Sequence, residues 1–404
     1  MNNTNSPTAT SDGAGSAELA RMMLPSDANI AGNVHGGTIM QLMEEAAGVA
    51  AHRYFCQSHS SPRVVPLVSR VERLSFQHPI HVGDVAKVKA TVIFSSLINV
   101  AVCVQVRAER LAWSTRASQS QGTHTNTTSG DTVCNRALMW LVGAELPPIS
   151  SARLANRINP SNIKRALAPP FPIPKDKTSW AWEQYQEAAQ LYEKNQGNKS
   201  PSVNTLDITS DNLMNNAPTT PRFTDSTIDE EGKTPNRSAV ELAQVMLPSD
   251  CVNTNGLVSG GVVMKLMDNA CGIVAVRHCG TNTVTVVVQG VNLFSPVLSG
   301  DVLMVQARPV FTSAKSIEIA VSVRAERYNI SNSFLHQEIV AITDQAYFTF
   351  VALPLGDKNP SALPMIPLRL ETKEDRETFE KRKAVYQQRR ALIGSSRRII
   401  FSKL

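Results

Sequence analysis

Apolar and polar positions along the chain run through the same order twice. A Gly-Gly pair opens a segment of about 16 residues with helical periodicity, in which Ile39, Met40, Leu42, Met43, Ala46, Ala47, Val49 and Ala50 nearly encircle the axis, so the helix is predicted to be buried. Four β-branched, partly alternating runs follow, at residues 64–71, 85–94, 98–108 and 136–142. The second passage repeats the scheme: an almost wholly apolar helix at 262–276, then runs at 283–294, 302–311, 317–325 and 343–351. One buried helix followed by four strands predicts an α+β fold in which a curved antiparallel sheet wraps around a central helix. A Pro-containing stretch and an amphipathic charged helix trail each sheet, at 179–195 and 373–392.

The residues themselves repeat, not only their pattern. Glu18-Leu-Ala-Arg-Met-Met-Leu-Pro-Ser-Asp27 recurs as Glu241-Leu-Ala-Gln-Val-Met-Leu-Pro-Ser-Asp250, and the block from His35 to Gly48 corresponds to that from Ser259 to Gly272. Gly83-Asp84 answers Gly300-Asp301, and Val106-Arg-Ala-Glu-Arg110 answers Val323-Arg-Ala-Glu-Arg327. Four blocks in one order imply a tandem duplication. The expected organisation is a disordered start (1–15), a first domain with its trailing helix (16–195), a disordered linker rich in Asn, Thr, Ser, Pro and Asp (196–236), a second domain (237–392) and a basic tail (393–404). A Ser/Thr-rich insertion at 114–132 sits in the last hairpin of the first copy.

Composition narrows the class. In 404 residues with 42% hydrophobic content, no uncharged apolar run reaches membrane-spanning length, so no membrane span is expected. The net charge of +6 is concentrated near the end of the chain without aromatic interleaving or Cys/His finger spacing, which argues against nucleic acid. Six cysteines without a C-x-x-C pair point to a reducing compartment. The start carries neither a secretory nor a mitochondrial presequence, whereas Ser402, Lys403 and Leu404 spell the address read by the peroxisomal import receptor; the peroxisome is the expected location and the cytosol the alternative.

Candidate chemistry gathers at the helix starts. Gly36-Gly37 and Gly260-Gly261 place backbone N–H groups, without side chains in front of them, where a thioester oxyanion could be held. Eight residues on lie Glu44 and Asp268, carboxylates in apolar helices and so candidate bases. Asn33 precedes the first Gly pair, whereas the second copy has Leu257 there. Asn33 of one half and Asp268 of the other therefore suggest one composite site, which Glu44 with Leu257 cannot duplicate. The histidines show no metal-ligand spacing and no Gly-x-Ser-x-Gly elbow is present, so neither a metal nor a bound cofactor is expected.

Leu-Pro-Ser-Asp, Gly32-Asn-Val-His-Gly-Gly37, Met264-Lys-Leu-Met-Asp268 and the stretch from Phe311 to Ile319 resemble the tandem hotdog, brain-type cytosolic acyl-CoA hydrolases, over roughly residues 16–195 and 237–392. The resemblance implies two hotdog domains paired back to back, a homotrimer of such chains, and hydrolysis of fatty acyl-CoA to fatty acid and CoA by Asn33 and Asp268. Asp268 would activate water as a general base or attack directly, and the Gly36 and Gly37 amides would hold the oxyanion. Lys315 and Ser316, before the third strand of copy two, would meet CoA phosphates; copy one has Ile98 and Asn99 there. Two other functions fit less of the pattern. A non-catalytic acyl-CoA-binding or scaffold protein is one, and an enoyl-CoA hydratase of the same fold is the other, since His35 follows Asp27 by eight residues where that motif needs five.

Overall fold

The computed structural model describes residues 15–29, 32–57, 64–111, 133–146, 163–197, 232–252, 256–331, 334–354 and 361–395. The insertion at 114–132, most of the expected linker and Ser402, Lys403 and Leu404 lie outside these residues.

The first half contains β1 (Ser16–Met22), α1 (Gly36–Phe55), β2 (Val64–Phe76), β3 (Asp84–Ser95), β4 (Asn99–Arg110), β5 (Val133–Glu145), a short β6 (Lys164–Ala166) and α2 (Trp180–Gly197). The second contains β7 (Val240–Val245), α3 (Gly260–Cys279), β8 (Thr283–Asn292), β9 (Val302–Thr312), β10 (Ile317–Ser331), β11 (Phe334–Ala352) and α4 (Lys373–Ser395). Each half is a hotdog: an antiparallel sheet folded around a long buried helix, with a trailing helix behind it.

Two expectations are corrected. Each sheet gains a leading strand, β1 or β7, from the repeated Glu-Leu-Ala block. Both are edge strands paired on one side only, to β3 and β9. Only Ala17 of β1 and Val240 of β7 are buried, so charged and small residues dilute the alternation that marks a strand. The expected linker is also ordered at its end. Lys233 bridges to Leu368, and its Nζ donates to the carbonyls of Arg277 (3.0 Å) and His278 (2.8 Å), satisfying the last turn of α3. A single helical turn, Pro235–Ser238, then leads into β7.

The two sheets are one. Strand order is β1-β3-β4-β5-β2-β8-β11-β10-β9-β7, with β6 beside β5, and the halves join where β2 and β8 run antiparallel from Arg70 opposite Asn292 to Ser75 opposite Val287. Val71 and Leu74 of β2 and Val288 and Val291 of β8 enter the same apolar cluster as Met40, Met43, Met264 and Met267 of the helices. The core is therefore shared, and burial across the seam drives the halves together. Val49, expected inside, is 37% exposed, on the strip of α1 that no strand covers.

The repeated Gly-Asp and Arg-Ala-Glu-Arg blocks meet in space. Asp301, fully buried, accepts from Arg327 Nε (3.1 Å) and Nη2 (2.8 Å), locking β10 to the turn before β9. In the first half Arg110 stands 3.7 Å from Asp84 and is half exposed. Behind the sheet, Arg382 and Arg389 of α4 hold the buried Glu318 of β10, and Phe94, Trp140, Tyr185 and Tyr192 pack α2 onto β3 and β5. No described helix is long and apolar enough to cross a membrane.

Candidate active site between the two helix starts

α1 and α3 cross near their first turns, and the glycines set the distance. A Cβ added to Gly37 would stand 2.9 Å from Lys265 Cα, and one added to Gly261 would stand 2.8 Å from Gln41 Cα. Only residues without a side chain permit that approach. It brings the acid of each helix to the start of the other.

Asp268 of α3, 1% exposed, reaches the beginning of α1. Its Oδ2 accepts from the Gly37 amide at 2.7 Å and lies 3.0 Å from His35 Nδ1, while Oδ1 accepts from the Thr285 hydroxyl of β8 at 2.8 Å. The Gly37 amide is also 3.1 Å from His35 Nδ1. Two acceptors do not rest 3.0 Å apart without a proton between them, so Nδ1 carries hydrogen and donates to Asp268, and the amide points at the carboxylate. Burial works against protonation of the imidazole, but the hydrogen bond and charge of Asp268 outweigh it and leave His35 above its ordinary value.

The pseudo-equivalent contact is made by Glu44 of α1. Ser259, which stands where His35 does, donates to Glu44 Oε2 at 2.7 Å, and the Gly260 and Gly261 amides face the same carboxyl. Burial dominates here and pushes Glu44 up to about 7. Around Gly260 stand Val68 and Leu293, where Gly36 meets Thr285 and Phe76. Leu257, fully buried, occupies the place of Asn33. One end of the helix pair thus carries Asn, His and Thr about an aspartate, and the other carries Leu, Ser and Val about a glutamic acid.

Asn33 is partly buried two residues before His35. Its backbone is bridged to His81 and its amide nitrogen donates to Asn29 Oδ1 at 3.1 Å, while its side chain makes no hydrogen bond among the described residues. Gly36 adjoins Asp268 Oδ2, 3.0 Å from the place of a Cβ. The Gly37 amide, expected at the oxyanion, donates to Asp268 Oδ2. Lys315, exposed, and Ser316 sit in the β9–β10 turn, where the Ser316 hydroxyl is shared with Ser313 at 2.7 Å. No group of three or more His, Cys, Asp or Glu is placed to hold a metal ion among the described residues, and no disulfide joins the cysteines there.

A family model described as the thioesterase superfamily matches residues 31–110 and 255–329, one stretch in each half around these helix starts. The human cytosolic acyl coenzyme A thioester hydrolase is 32% identical over 377 residues, covering 93% of this chain and 84% of its own. The chain belongs to this thioester hydrolase family. The mouse protein of the same name is 32% identical over 92% of this chain and 83% of its own. Among solved structures, an acyl-CoA hydrolase from Bacillus cereus is 29% identical over 40% of this chain and 91% of its own, with a TM-score of 0.34.

Two side chains that meet Asp268, His35 and Thr285, are not among the candidates that the sequence offers. His35 was legible in principle, since it differs from Ser259 in the same repeat block that exposed Asn33 against Leu257. Thr285 was not: threonine and valine suit a strand equally well, so the alternation Thr-Val-Thr-Val conceals which hydroxyl faces the helix.

Proposed function

We propose that this chain hydrolyses acyl-CoA thioesters at one composite site, where Asp268 of the second half works against the first turn of the first half. The observation that carries this is the 2.7 Å contact of Asp268 Oδ2 with the Gly37 amide, which joins residues 231 positions apart. Asp268 takes a proton from water, and that water attacks the thioester carbonyl; the tetrahedral intermediate expels CoA thiolate, which recovers the proton from Asp268. Gly37, His35 and Thr285 hold the carboxylate by three hydrogen bonds, and the Asn33 amide orients the water or the thioester. The Gly36 amide, at the positive end of α1, faces the developing oxyanion.

Lys315 and Ser316 meet the CoA phosphates, an assignment supported by the exposure of the Lys315 ammonium. Assembly into a trimer of chains is supported by apolar side chains left exposed beside the edge strands: Met22 (44%) and Leu24 (44%), then Val245 (51%) and Leu247 (53%) at matching positions. Light scattering of the purified chain tests the trimer. For location, a fluorescent fusion of this sequence with and without Ser402, Lys403 and Leu404 distinguishes peroxisome from cytosol.

The deciding experiment is thiol release from palmitoyl-CoA by Asp268→Asn and Glu44→Gln. Asp268→Asn is expected to lose at least about 100-fold in kcat, and Glu44→Gln to keep most of it. Equal losses sink the single-site reading.

A further inference from the structure

His35 is the one titratable side chain in hydrogen-bond contact with Asp268 among the described residues. It stands on fixed backbone. Its amide donates to the Asp27 carbonyl at 2.8 Å, that of Val34 donates to Ile80 at 2.8 Å, and α1 begins at the next residue. The ring bridges two environments, since its side chain is 29% exposed and the carboxylate it touches is 1% exposed.

Resting on the reading of Asp268 as the base, we propose that His35 is a positioning residue for hydrolysis: its Nδ1–H keeps the carboxylate turned toward the start of α1, and its charge governs how readily that carboxylate accepts a proton from water. Ser259 at the mirror position shows the division of labour. It caps α3 by accepting from the Gly261 amide at 3.1 Å and donates to Glu44, but it cannot carry charge. Capping alone therefore does not require histidine.

The groups acting on the ring can be named. Asp268 favours its protonated form, and Lys265, three residues before Asp268 on α3, opposes it. Thr285 of β8 and Phe76 of β2, the other side chains beside Gly36, are uncharged, and the nearby Asp27 is taken by Arg21 at 2.6 Å. A positive ring competes with the proton of the attacking water for Asp268. Hydrolysis thus strengthens as pH rises through the titration of His35, which gives an acid limb with its midpoint above the ordinary histidine value of about 6.5.

The test measures kcat and KM of thiol release from palmitoyl-CoA against pH for the full-length protein, His35→Ala and His35→Asn. Alanine removes the donor and leaves Asp268 held by Gly37 and Thr285 alone, so kcat falls, by up to about 100-fold, with KM little changed. The Asn side-chain N–H can stand in for Nδ1–H; His35→Asn is expected to recover most of kcat and to lose the acid limb. Wild-type kcat in His35→Ala overturns the positioning role, and an acid limb surviving in His35→Asn overturns the role of charge. Asp268→Asn run in parallel separates the two levels. If it stays active, the reading of the site fails; if it is inactive and only the His35 variants behave as wild type, this inference alone fails.

Discussion

Ser259 donates to Glu44 Oε2 at 2.7 Å from the position that, in the other half, puts His35 Nδ1 3.0 Å from Asp268 Oδ2. The two ends of the helix pair share a scaffold and differ in what they load onto it. At one end the acid is met by an imidazole, a threonine hydroxyl and an amide; at the other, apolar walls leave burial in command.

Glu44 gives a prediction about stability. Its value is about 7 in the folded protein against 4.5 for the exposed group, so the folded state binds this proton more tightly than the unfolded chain. That contribution is complete below pH 4.5 and is lost as pH rises through 7. Glu44→Gln is therefore expected to be more stable than the parent at pH 8, by up to about 3 kcal/mol, with the gap closing by pH 5. Denaturant melts at the two pH values check it, and a gap independent of pH rules the titration out.

Thr285→Val copies Val68 of the mirror site and removes only the hydroxyl that holds Asp268 Oδ1. A hydrogen bond to a charged group is worth about 1.5–3 kcal/mol. If that interaction matters most in the transition state, kcat falls roughly 10-fold or more while KM and the melting temperature stay close to the parent. A rise in KM with kcat unchanged would place Thr285 outside the chemistry.

Glycine substitutions divide by location. Gly37→Ala and Gly261→Ala drive a methyl group into the facing helix backbone, and each is expected to cost about 1–3 kcal/mol. Gly48 and Gly272 lie within the same helices with nothing inside 4 Å of an added Cβ. Alanine there is expected to stabilise by about 0.5–1 kcal/mol. Thermal melts of the four variants would show opposite signs for the two pairs.

Arg327→Met takes the guanidinium from the fully buried Asp301, leaving a buried charge without its counter-charge, and is expected to cost about 3–5 kcal/mol. Arg110→Met removes a longer, half-exposed contact to Asp84 and is expected to cost about 1 kcal/mol or less. Similar losses from both would mean that the Arg327–Asp301 pair is no better sheltered than Arg110–Asp84.

Much of this architecture was legible because the chain states it twice. Agreement between copies marked the helix starts and the succession of a helix and four strands along each half, and disagreement between them exposed Asn33 against Leu257. Edge strands escaped because an edge buries one face in part, and Ala17 or Val240 alone does not make a period. For Gly37, the sequence places the amide at a helix start but does not say which acceptor meets it there. Asp268, from 231 residues away, has taken that place.

The antiparallel join of β2 to β8 has a bearing on ancestry. Two identical subunits meeting along such a join are bound to present the same residues at both ends, so any change at one end is made at the other. Once both copies are written into a single polypeptide that obligation lapses. Leucine and valine can then line one end while asparagine and threonine stay at the other, and the gene gains a place to vary without losing its chemistry.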